Sequence, residues 1–130
     1  MKVSSVPNAM ILFNPVIDTT ANGFGAGRFK ADRQTELSPA HHVRPGIPPT
    51  LLFHGTADTT TPFENAERFA RLMTEAGNPC ELVPFEGRKH GFFNGAHFRP
   101  KSDGSDYKKT MVDAVRFLEI LGYLPFQGAH

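Results

Sequence analysis

The sequence predicts an α/β fold with a parallel sheet, and three observations carry that prediction. Its short apolar runs are bounded by glycine, asparagine and proline, and the first two are nearly continuous rather than alternating, the pattern of strands covered on both faces. A longer amphipathic segment stands between two of these runs. A strand, a helix of about fifteen residues and a second strand form a βαβ unit, whose strands run parallel and lie side by side.

The first run, Ala9-Met10-Ile11-Leu12-Phe13, ends at the turn signal Asn14-Pro15. The second, Thr50-Leu51-Leu52-Phe53-His54, is entered through Pro48-Pro49 and left through Gly55. Next comes Thr61-Pro62-Phe63-Glu64, which reads as a capping box: a threonine hydroxyl for the first free amides, proline at the first helical position and glutamate behind it. Phe63, Ala66, Phe69, Ala70, Leu72 and Met73 then recur at three- and four-residue spacing, and Gly77 is placed to end the helix in a left-handed conformation. The third strand is Glu81 to Phe85, which alternates and whose Pro84 argues for an edge position or an irregularity, because proline gives the ladder no donor. A final helix from Ser105 to Leu121 is expected to bury Tyr107, Met111, Ala114, Val115, Leu118 and Leu121, with Gly122 as its stop. Residues 14–49 hold Gly23-Phe24-Gly25-Ala26-Gly27, no sustained periodicity and a short helical stretch at Ser38 to His42. They read as a long excursion over the carboxyl edge of the sheet, a cap above a pocket.

Composition narrows the function classes. A chain of 130 residues, 39% hydrophobic and 21% charged, is one domain or part of one. A net charge of +1 offers no footprint for nucleic acid or an anionic membrane. No apolar run approaches the ~20 residues needed to cross a bilayer. The residues before Phe13 do not read as a signal peptide, and the compartment stays open. One cysteine, Cys80, excludes an internal disulfide and a multi-cysteine zinc site.

Two polar residues follow the strand exits closely: Asp58 in His54-Gly55-Thr56-Ala57-Asp58, and His90 in Glu86-Gly87-Arg88-Lys89-His90. Neighbouring parallel strands, about 5 Å apart, bring both to one edge. A carboxylate there can accept from one imidazole nitrogen, fix the tautomer and leave the other nitrogen as a base. His54, inside a strand, is expected to be a packed structural residue. The pair His41-His42 lacks a third ligand for a metal. The glycines from 23 to 27 lack the lysine of a phosphate loop. Cys80 opens a strand and so falls at the edge opposite His90.

The segments from Pro49 to Asp58, Thr61-Pro62 and Phe85 to Phe92 resemble the last part of an α/β-hydrolase, in its esterase/lipase and acetyl-xylan-esterase-like branch. That resemblance implies Asp58 as the acid and His90 as the general base of a triad, a small carboxylic ester as substrate, and no cofactor or metal. The family's nucleophile is a serine in G-x-S-x-G upstream of both. Here the serines are Ser4, Ser5, Ser38, Ser102 and Ser105, and none lies in that motif. The expectation is therefore the C-terminal half of a serine ester hydrolase, about three parallel strands with flanking helices, spanning residues 1–130 and inactive alone. The alternative is a non-catalytic half-fold or split-enzyme partner that acts by association. An uncovered apolar strand at Met10 to Phe13 leads to the further expectation of a homo-oligomer, or of a missing N-terminal half as partner.

Overall fold

The computed structural model describes residues 3–24 and 27–127. Gly25 and Ala26 of the glycine-rich stretch lie outside the described residues. Two compact units meet in sequence between His90 and Gly91.

In the first unit, β1 (Met10–Phe13), β2 (Thr50–Gly55) and β3 (Cys80–Phe85) form a parallel sheet in the order β1-β2-β3. Register pairs Phe13 with Phe53 and Gly55 with Phe85, so the strand exits lie level. Every residue of β2 is buried, which explains why its sequence is apolar without alternation. Strand β3 is an edge, with Glu81 and Pro84 exposed. The Thr50 and Thr56 amides donate to the carbonyls of Pro79 and Phe85. Residues two apart share an edge, so the nitrogen of Pro84 falls on the open side, where no donor is missed.

Helix α2 (Phe63–Glu75) follows β2 and turns Ala66, Phe69 and Met73 into the core with Leu52, Ile17 and Ala40. It ends as expected. Gly77 has φ +82°, its amide donates to the Thr74 carbonyl, and the Asn78 amide donates to that of Met73. The helix start departs from the expected capping box. Pro62 occupies the cap position with no side-chain cap bond, and the Thr61 hydroxyl donates to the Asp58 carboxylate.

The segment between β1 and β2 contains a one-turn helix α1 (Gln34–Leu37), which the sequence did not signal, and a 3-10 turn at Pro39–His42 where a short helix was expected. Its buried residues Ile17 and Ala40 belong to the core beside α2, and Asp18 pairs with Arg68 of α2 at 3.2 Å. His41 and His42 are committed to separate partners, the Ser38 hydroxyl at 2.8 Å and the Glu36 carbonyl at 2.7 Å. Cys80 sits at the start of β3 beside this core, and burial pushes its thiol up to about 11.

The second unit is built on α3 (Ser105–Ile120), stopped by Gly122 at φ +80°. Its buried residues are Thr110, Ala114 and Glu119, whereas Tyr107 and Met111 are exposed. That corrects part of the expected inward face. A threonine can join the buried side because its hydroxyl returns to the helix, donating to the Tyr107 carbonyl at 2.8 Å.

Candidate active site

Asp58 stands three residues beyond the end of β2, in a turn from Gly55 to Thr61, and its side chain is fully buried. One carboxylate oxygen, Oδ1, accepts the Thr60 and Thr61 amides at 2.8 and 2.9 Å. The other, Oδ2, accepts the Thr61 hydroxyl at 2.9 Å and faces His90 Nδ1 at 2.9 Å. The level exits of β2 and β3 make this meeting possible, and both residues belong to the first unit. Burial alone would raise the Asp58 pKa, but the hydrogen bonds from Thr61, His90 and Thr60 outweigh it and hold the carboxyl below its ordinary value of 3.8. The side chain of His90 is 45% exposed and is anchored at Nδ1.

The two strand-exit loops are joined by backbone. The Arg88 carbonyl accepts the Ala57 amide at 3.0 Å, and the Gly87 amide donates to the Thr56 hydroxyl at 2.8 Å. Arg88 passes directly over Gly55: a Cβ on Gly55 would lie 2.2 Å from the Arg88 oxygen. Glycine is required here by close approach, not by an unusual φ.

Asn14 was signalled only as the end of β1, yet it ties the exit of β1 to the same turn. It is buried at φ +42°, accepts the Gly55 amide on Oδ1 at 3.0 Å, and its carbonyl oxygen lies 3.4 Å from the Thr61 hydroxyl oxygen. Asparagine is one of the few non-glycine residues that adopts such a φ readily. Its position next to Pro15 hinted at a turn but not at this contact.

His54 is the structural residue that its place in the strand suggested. It is 1% exposed, and its Nε2 lies 2.7 Å from the Thr61 carbonyl. Burial lowers its pKa from the ordinary 6.5 despite that carbonyl and the nearby Asp58. The ring is therefore neutral near pH 7, and the 3.6 Å approach of Nε2 to Asp58 Oδ2 is neither an ion pair nor a hydrogen bond.

These buried groups set an acid limit on stability. The unfolded chain protonates His54 first, so stability is full above about pH 6.5 and begins to fall below it. A second decline follows as Asp58 and Asp18 protonate. The carboxyl of Asp18 is buried, which opposes ionisation, but bonds from Thr20 and the charge of Arg68 hold its pKa below 3.8. Their contribution is full above about pH 4 and is lost as pH falls through their folded values. Urea midpoints measured from pH 8 to 3 should show both steps; a flat profile from pH 7 to 4 would contradict this reading.

Residues 9–106 match the sequence model of the prolyl oligopeptidase family. Among solved structures, the chain is similar to native esterase 2 of the planctomycete Thermogutta terrifontis, with 44% identity and a TM-score of 0.80, covering 94% of this chain and 45% of that one. The propionate-bound form of that esterase gives 45% identity, a TM-score of 0.80 and coverage of 93% and 45%. A probable isoprenylcysteine alpha-carbonyl methylesterase of Arabidopsis thaliana is 33% identical over 49 residues, 38% of this chain and 10% of that protein. The chain thus spans under half the length of the solved esterases it matches.

Proposed function

Since this chain belongs to the prolyl oligopeptidase family, we propose that it supplies the acid and the general base of a carboxylic-ester hydrolase, with the serine nucleophile on a segment outside this sequence. The α/β-hydrolase fold and the esterase likeness stand on the parallel sheet and on solved esterases 44–45% identical across more than nine-tenths of the chain. The contact that carries the catalytic reading is the 2.9 Å approach of His90 Nδ1 to the buried Asp58 Oδ2.

In this mechanism His90 donates its Nδ1 proton to Asp58 in a hydrogen bond, which leaves a lone pair on Nε2. Nε2 takes the serine hydroxyl proton as the oxygen attacks the ester carbonyl, then returns that proton to the leaving alkoxide. Water deacylates the serine by the same route. Asp58 stays ionised throughout and stabilises the transient imidazolium. Its depressed pKa suits that role, since it need not change protonation state at neutral pH. The propionate-bound relative supports a short acyl group as substrate.

The chain by itself should take up no serine-directed fluorophosphonate. Co-expressed with the portion of the Thermogutta esterase that precedes the matched region, it should acquire p-nitrophenyl propionate hydrolysis, and the His90→Ala version should not. Labelling of the chain alone, or equal hydrolysis with His90→Ala, would overturn the assignment. Hydrolysis of a prolyl anilide but not of the ester would move the substrate from esters to peptides.

A further inference from the structure

We infer that His54 is a positioning residue for the acid: its neutral ring, protonated on Nε2, clamps the Thr61 carbonyl and so holds the turn that presents Asp58 to His90. The inference rests on the Asp58–His90 reading above and adds a second histidine to that assembly. Three contacts lead to it. His54 Nε2 lies 2.7 Å from the Thr61 oxygen. Thr61 in turn gives Asp58 two of its four hydrogen bonds, from amide and hydroxyl. Finally, His54 Nδ1 is buried with no hydrogen-bond partner among the described residues, so the directional hold on the ring comes through Nε2.

The tautomer follows from the acceptors. Both groups near Nε2, the Thr61 carbonyl and Asp58 Oδ2, carry only lone pairs toward it. A bare Nε2 would set lone pair against lone pair at 2.7 Å, so the single proton of the neutral ring resides there. Packing alone does not require histidine in this place. Phe63, 5.9 Å away between ring centroids, would accept another aromatic ring equally well. What a plain hydrocarbon ring lacks is the donor, and without it the Thr61 carbonyl is left buried and unpaired in the turn that carries Asp58.

Imidazole nitrogen–proton correlation spectra of the full chain test this at a pH where both rings are neutral. In the wild type, His54 should carry its proton on Nε2 and His90 on Nδ1. His54→Phe and His54→Asn remove the donor from the Nε2 position; the neutral His90 ring should then shift toward the Nε2-protonated form that a free imidazole prefers. His54→Gln, whose amide reaches the Nε2 position, should keep the wild-type pattern at His90. An unchanged His90 tautomer in the Phe or Asn variant overturns the inference, as does a proton on Nδ1 of His54 in the wild type, a result that needs no variant to fold. A wild-type His90 without a proton on Nδ1 would instead refute the Asp58–His90 reading itself, so the two failures are distinct.

Discussion

Asp58→Asn is expected to lower ester turnover about 10⁴-fold when this chain is co-expressed with the serine-bearing portion of the Thergutta esterase, with little change in KM. The asparagine can still accept the Thr60 and Thr61 amides through its oxygen, where Asp58 Oδ1 now does. The amide nitrogen then takes the place of Oδ2, opposite the Thr61 hydroxyl and His90 Nδ1. A donor there turns Nδ1 into an acceptor and forces the ring proton onto Nε2. The nitrogen that should receive the serine proton is then already protonated. In the proposed mechanism the loss falls on kcat, because Asp58 is buried and acts through His90. Steady-state kinetics on p-nitrophenyl propionate measures it; a decrease below tenfold would mean that Asp58 does not set the state of His90.

Gly55→Ala is the second large effect, and it reaches the site through backbone. The new methyl would lie 2.2 Å from the Arg88 oxygen and 2.7 Å from its carbonyl carbon. Neither atom can rotate away as a side chain would. The Arg88 carbonyl also holds the Ala57 amide at 3.0 Å, so relief of the clash separates the two strand-exit loops. Strand β2 is buried along its whole length and has little freedom to retreat. A destabilisation of about 3 kcal/mol follows, at the upper end of the overpacking range. His90, two residues beyond Arg88, moves with its loop and loses Asp58. Urea unfolding together with the His90 tautomer reports both parts; a loss under about 0.5 kcal/mol would show that the loop yields without resistance.

Much of this architecture is legible along the chain. The unbroken apolar run from Leu51 to Phe53 matches a strand buried on both sides. Pro84 marked the edge strand, Gly77 and Gly122 the helix ends, and Asp58 and His90 the residues that follow the strands. These features depend on local physics, namely side-chain spacing, fixed dihedrals and missing donors, so neighbouring residues suffice to reveal them.

Other features depend on what lies across the fold. Thr61 has the form of a capping residue, and a helix does begin beside it. Its hydroxyl nonetheless makes no cap bond and donates to Asp58, a buried carboxylate that the turn after β2 brings beside it. Tyr107 and Met111 fit an apolar stripe but are exposed, because spacing defines a stripe without defining which side of it is covered. Asn14 meets Gly55 and Thr61 only through the register of β1 on β2. The order of residues thus determined which strands, helix and titratable groups this protein has. Three-dimensional packing alone decided which donor reaches which acceptor, because a hydrogen bond depends on tenths of an ångström between groups that the chain itself holds far apart.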